Sequence, residues 1–244
     1  MKIEKIYSIL DDIAPFCDQE KWDNSGLQIG SMKSEFGDIY LSLDIDSNMI
    51  DELSQNSLII THHPLIFSGL KSINTALYPS NIIKKMLKKN ISLISMHTNF
   101  DKYVLNKFVA TEILGYDISK IEDFVIFFDI NSSFDELLED VAKKLNLKNV
   151  KFVKANQNVS KVGFCTGSGS ELVKDIDVDC FITGDIKYHT ALQCYENRVS
   201  LIDIGHYESE RYFGHCLREL LQKKQIKSII KNSINPFNYY EGKL

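Results

Sequence analysis

Hydrophobic residues in this chain fall in short runs of strand length, separated by stretches in which apolar positions recur with helical spacing. Runs at 39–43, 58–61, 91–96, 125–128, 150–153, 162–165, 180–183 and 199–204 predict strands. Most lack the apolar/polar alternation of a half-exposed sheet, so sheets buried on both faces are expected. Helical spacing at 47–54, 80–89, 104–115, 133–145, 170–176, 188–196 and 207–223 predicts the intervening helices. Ile3, Ile6, Leu10 and Ile13 would share one face of an amino-terminal helix, which reads as structural and not as a signal peptide. Ser133 and Glu136 have the spacing of a capping box at the start of the helix over 133–145. The class expected is α/β.

A chain of 244 residues can bury a sizeable core as one large or two small domains, and two intertwined α/β lobes are expected. No Pro/Gly/Ser linker, repeat or low-complexity tract divides it. The softest joint is near 115–119, which predicts a first domain over 1–118, completed by 225–244, and a second over 119–224. Charge narrows the partners. With 28 basic and 33 acidic residues, and only three arginines, the surface is not that of a nucleic-acid binder. Lys84, Lys85, Lys88 and Lys89 oppose Ile82, Ile83, Met86 and Leu87 on a helical pattern and read as a solvated face. No apolar run approaches the ~20 residues of a membrane helix. Cys17, Cys165, Cys180, Cys194 and Cys216 form no Cys-x-x-Cys pair, which predicts reduced thiols in a cytoplasmic protein.

Candidate chemistry collects at strand exits. His62 and His63 end the run 58–61 and are followed by Pro64; His97 and Asp101 follow the run 91–96; His206 and Glu210 follow the run 199–204. The last pair would share one face of a helix starting there. Neutral imidazole suits divalent transition metals, and a buried strand fixes where each ring begins. One ion with three or four ligands would leave some of His62, His63, Asp101, His206 and Glu210 unused, whereas two ions sharing a carboxylate would use all five. Zinc, iron, manganese and nickel all suit such a thiolate-free set. The site would draw on both sides of the domain joint. His97 is expected to orient a ligand or act on substrate, and His189, after the run 180–183, to serve as an acid/base group or simply to start a helix. His215 lies within a helical pattern and takes no role.

Two competing constellations are weaker. Gly167-Ser-Gly-Ser170 could offer backbone N–H groups to an anion or form a tight turn with a serine cap; it lacks the Lys-Ser/Thr ending of a P-loop. The spacing also fails that of a nucleophilic-serine elbow.

Five segments in order, Trp22-Asp-Asn-Ser-Gly-Leu-Gln-Ile-Gly30, Thr61-His-His-Pro-Leu65, His97-Thr-Asn-Phe-Asp101, Phe181-Ile-Thr-Gly-Asp185 and Gly205-His-Tyr-Glu-Ser-Glu210, resemble the successive motifs of the GTP cyclohydrolase 1 type 2 homologues, or NIF3-like proteins. The resemblance spans about residues 20 to 210. It implies two interlocked α/β domains with a dinuclear divalent-metal site in the cleft between them, in a ring-shaped homohexamer built as a trimer of dimers. It places His62, His63, Asp101, His206 and Glu210 as ligands, with Glu210 bridging two ions per subunit. It also implies the short form of the family, without an inserted domain. The family name suggests a metal-dependent hydrolase of a nucleotide or related phosphorylated heterocycle, although few arginines are present to clamp a triphosphate. A non-catalytic metal-storage or adaptor ring is the alternative. The chain departs from the family pattern at Lys102-Tyr-Val-Leu-Asn106, expected to reshape the pocket, and at Asp185 and Tyr188, expected to alter its rim more than the metals.

Overall fold

The computed structural model describes residues 1–240 and separates into two compact units. The first comprises Met1–Asn99 together with the chain from Phe213 onward, and the second Phe100–Tyr212. The seams therefore lie at 99/100 and 212/213, earlier than the boundaries at 118 and 224 that the sequence suggested. Packing explains the shift. The helical run after Thr98 packs on a strand of the second unit, and the last long helix packs on two strands of the first.

In the first unit a helix, α1 (Ile3–Ile13), buries Ile3, Ile6 and Leu10, each worth about 1.5–3 kcal/mol of apolar transfer. Strands β1 (Gly26–Ile29), β2 (Ile39–Ser42), β3 (Leu58–Thr61), β4 (Ser92–Ser95) and β11 (Ile229–Ile230) form one sheet in the order β1-β4-β3-β2-β11. All neighbours are parallel except β1, which runs antiparallel to β4. Strands β2, β3 and β4 are buried at every position, as their unbroken apolar runs require. Helices α2 (Ser47–Glu52) and α3 (Ser80–Lys88) pack on each other and, with Ile59 and Leu93, build a core that includes Met49, Ile50, Ile82 and Met86. Asp46 caps α2 by accepting from the N–H groups of Asn48 and Met49.

The chain enters the second unit in a continuous helical run, Thr98–Phe100 (α4), Asp101–Leu105, Asn106–Phe108 (α5) and Val109–Ile113, in which the second and fourth pieces have the wider π winding. The spacing predicted a start only at 104. Strands β5 (Lys120–Glu122), β6 (Val125–Ser133), β7 (Lys151–Val153), β8 (Asn158–Phe164), β9 (Cys180–Thr183) and β10 (Ser200–Asp203) form a mixed sheet in the order β5-β6-β8-β9-β10-β7, with β8, β9 and β10 parallel. Helices α6 (Phe134–Lys144) and α7 (Tyr188–Glu196) belong to this unit, and the Ser133–Glu136 capping box starts α6. The single helix expected over 207–223 is two, α8 (His206–Glu210) and α9 (Phe213–Lys223). Arg211 interrupts them, its guanidinium donating to the Leu145 carbonyl at 2.8 Å. Three strands carry no signal in the sequence because β5 is exposed throughout, β11 has two residues and β1 begins on glycine. Among the described residues no helix is long and apolar enough to cross a membrane.

Candidate metal centre

Strand β3 continues its parallel register one step past its end: the N–H groups of His62 and His63 donate to the carbonyls of Ser42 and Leu43 at 3.2 and 3.1 Å. The two imidazoles thus start from backbone pinned by β2. The neighbouring exit brings His97 beside them, after Met96 N–H donates to the Thr61 carbonyl at 2.9 Å. Ring centroids lie 5.0 Å apart for His62 and His63, 5.2 Å for His62 and His97, and 5.5 Å for His63 and His97. One nitrogen from each of the three lies within 4.8 Å of the others, close enough to hold one metal ion.

Which nitrogen faces a ligand follows from what the other one touches. Nδ1 of His62 is 2.8 Å from the Met96 carbonyl, Nδ1 of His63 is 2.7 Å from Asp44, and Nδ1 of His97 is 2.8 Å from Asp23. In the second unit Nδ1 of His206 is 2.6 Å from Asp185. A carbonyl or an ionised carboxylate only accepts, so Nδ1 carries a proton in all four rings. This is the arrangement in which an imidazole coordinates a divalent ion, with an acceptor behind it fixing ring and tautomer.

Asp23 does two jobs. One carboxylate oxygen holds His97; the other accepts from the Thr98 N–H at 3.0 Å and the Thr98 hydroxyl at 2.5 Å, capping the helical run that starts there. Its side chain is 0% exposed. Burial alone would raise its pKa, but the hydrogen bond and charge of His97, with the Thr98 bonds, hold it well below the usual carboxylate range. Ser25 closes the loop, its hydroxyl accepting from the His97 N–H and donating to Asp23.

In the second unit α8 carries His206 and Glu210 one turn apart, and Nε2 of His206 lies 3.1 Å from Glu210 Oε2. Glu210 is buried and His206 half-buried. The ends of β8, β9 and β10 converge here through glycines. A Cβ on Gly184 would lie 2.7 Å from the Gly167 carbonyl oxygen and 2.8 Å from both Gly205 C and His206 N. Gly167 has φ +63°, and a Cβ there would meet Glu210 Oε1 at 2.1 Å. Close approach of backbone requires the glycine at 184, and the left-handed φ favours the one at 167. The Gly167 and Gly169 N–H groups donate to Ser209 and Thr183, so the Gly167–Ser170 segment is a tight turn that backs Glu210 and not an anion cradle.

Asp101 lies in the first wide turn of the helical run, half-buried, with its Oδ1 3.4 Å from the Thr166 hydroxyl. Asn106 accepts from the Thr166 N–H and lies 2.7 Å from its hydroxyl, and donates to the Phe124 carbonyl. Of the residues that depart from the family pattern, Asn106 is therefore a brace, and Lys102 pairs with Asp123 at 2.6 Å. Burial and the negative charges of Asp101 and Glu210 push the Cys165 thiol up and keep it protonated.

His189 is exposed on the first turn of α7, its ring 5.4 Å from that of Tyr188, and joins no donor group among the described residues. Asp185, expected to affect the rim more than the metals, lies against Nδ1 of His206 and orients that ring. Sequence reasoning did not assign Asp23 and Asp44. The available signal was the need of each ligating imidazole for an acceptor on its second nitrogen, with carboxylates waiting just past β2 and in the segment before β1.

The Duf34/NIF3 (NGG1p interacting factor 3) family model matches residues 1–236. A Campylobacter jejuni protein named "GTP cyclohydrolase 1 type 2 homolog" is 50% identical over 241 residues, covering 98% of this chain and 100% of that one. A Helicobacter pylori protein (strain 26695) named "GTP cyclohydrolase 1 type 2" is 40% identical over 237 residues, covering 96% and 97%. Among solved structures, Staphylococcus aureus hypothetical protein SA1388 superposes with a TM-score of 0.85 at 26% identity, covering 98% of this chain and 99% of that one.

Proposed function

The chain belongs to the Duf34/NIF3 family, and on that premise we propose that it is a metal-dependent hydrolase of a nucleotide or related phosphorylated heterocycle. In this reading His62, His63, Asp101, His206 and Glu210 hold two divalent ions, with Glu210 bridging them. The observation that carries it is the shared setting of the imidazoles of His62, His63 and His206, each with Nδ1 against an oxygen acceptor that fixes its ring. The two carboxylates offset the ionic charge. Metal bound there would supply Lewis acidity and acidify a water towards neutral pH. His97 takes and returns the proton at Nε2, because Asp23 on Nδ1 fixes the orientation of its ring. His189, exposed and outside any donor group, is not needed for that step. The five free cysteines support a reducing, cytoplasmic setting.

Metal analysis of the purified protein should find two divalent ions per subunit, and a His63→Ala, Glu210→Ala double variant should lose them; equal content in both would refute the site. Hydrolysis of members of a panel of GTP, other nucleotides and small phosphoesters should need metal and vanish in Asp101→Ala. Metal binding with no turnover of any member would instead favour a storage or adaptor role.

We further propose the ring-shaped homohexamer. The carboxy-terminal stretch supports it by leaving Phe237, Tyr239 and Tyr240 at 75%, 64% and 93% exposure in the single chain, rings that a neighbour could cover. Light scattering should give the mass of six subunits. Deleting the chain from Asn235 onward should weaken the assembly, and an unchanged mass and melting temperature would remove the tail from that role.

A further inference from the structure

The first unit exposes two large aromatic rings next to its histidines. Trp22 is 57% and Phe67 51% exposed, whereas Phe100, Phe128 and Phe213 are buried completely. Their centroids are 5.9 Å apart, and each stands near His97, at 6.0 Å for Trp22 and 6.3 Å for Phe67, with the imidazole edge-on. The rings already touch, so nothing fits between them. Together they form one aromatic wall ending at His97.

The wall is held from behind. Asn24 donates to the Ile66 carbonyl, Gln28 Nε2 donates to the Asn24 carbonyl at 2.7 Å, and Gln28 Oε1 accepts from the Ile66 N–H at 2.9 Å. These amide ties lock the segment carrying Trp22 to the loop carrying Phe67, so a ligand meets a surface whose ordering cost folding has already met. They hold backbone on both sides and leave both rings about half exposed.

We propose that Trp22 and Phe67 form the platform on which the heteroaromatic ring of the substrate stacks, placing that ring beside His97. The assignment rests on the hydrolase reading and names the part of the substrate recognised: the planar base, and not the phosphates, for which the chain offers few arginines. A base presents a polarisable face to indole and phenyl rings whatever its edge pattern, so the platform selects flat heterocycles as a class and leaves discrimination among them to other groups.

Trp22 is the single tryptophan, so its emission reports on this wall alone. The protein as purified, titrated with guanosine or GTP and corrected for ligand absorbance, should show saturable quenching; ribose 5-phosphate and inorganic triphosphate should give none. Phe67→Ala keeps the reporter and should weaken binding about tenfold. By calorimetry Trp22→Ala should weaken it about as much, while Trp22→Phe keeps most of it. Both side chains are exposed, so thermal melts of these variants should match the parent. Absence of quenching by guanosine, or an unchanged affinity in Phe67→Ala, would overturn the platform. Metal content of the same preparations is read separately. Full metal loading without quenching refutes the platform alone, and quenching in a protein that never takes up metal refutes the hydrolase reading while the wall still binds the base.

Discussion

The strand exits of the first unit are braced by hydroxyl groups, and those of the second by glycines that let backbones touch. Thr61 Oγ1 donates to the His63 carbonyl at 2.8 Å and lies 3.0 Å from Ser95 Oγ, tying the exits of β3 and β4 through side chains. Around Gly167, Gly184 and Gly205 the corresponding ties are main chain on main chain, as where Gly184 N–H donates to the Gly167 carbonyl at 2.8 Å. A hydroxyl brace can be removed at the cost of a hydrogen bond. A glycine brace has no room to yield. Imidazoles stand on both kinds of exit, but the buried carboxylate of Glu210 belongs to the glycine-braced ones, beside Gly167.

The sharpest way to break that comparison is Gly184→Ala. Its Cβ would meet three backbone groups inside 3 Å, and overpacking of this kind should cost about 3 kcal/mol of unfolding free energy, read by urea or thermal melting. Thr61→Val should cost only about 1 kcal/mol, the worth of the lost hydroxyl bonds. Similar costs for the two would mean the exits are braced alike.

The next largest contrast lies in the orienting carboxylates. Asp23 is fully buried and also caps a helical run, whereas the Asp185 side chain is 52% exposed. Asp23→Asn should lower turnover about 100-fold with little change in metal affinity, because its partner His97 moves a proton, whereas Asp185→Asn should weaken metal affinity about tenfold through His206. A loss of metal affinity in Asp23→Asn equal to that in Asp185→Asn, measured by competition with a chelator, would show that His97 is held for a metal and not for the proton.

The smallest effect is expected away from the donors, on α6 of the second unit. Asp140 accepts from Tyr116 at 2.5 Å and Lys144 at 2.6 Å; burial raises its pKa, but these bonds and the lysine charges lower it more. A carboxyl depressed on folding contributes stability above its unfolded value of about 3.9 and loses it as pH falls through the folded value. Asp140→Asn should therefore cost less than about 1 kcal/mol at neutral pH, half-exposed as the pair is, and the gap from the parent should close in acid. A gap that widens on acidification would contradict the sign.

Much of the fold is legible in the order of residues alone. Buried strands β2, β3, β4, β9 and β10 announce themselves as short, mostly apolar runs, and the His206/Glu210 spacing anticipates one face of a short helix. The strands β1, β5 and β11 are not legible, since an exposed or two-residue strand carries no periodic signal. Neither is the break between α8 and α9, because the apolar spacing continues through Arg211 and Tyr212 while the chain passes from one unit to the other.

The sequence by itself determined the α/β class, the positions of the imidazoles at strand exits and, through five ordered motifs, the family. These are local properties: period, run length and residue type survive in one dimension. Only the tertiary structure decided which acceptor stands behind each ring, because Asp23 reaches His97 across 74 residues and Asp185 reaches His206 across 21. Only folding, likewise, brought Trp22 and Phe67 into one wall. Such pairings depend on register and on the path of loops, which no local pattern of hydrophobic and polar residues encodes.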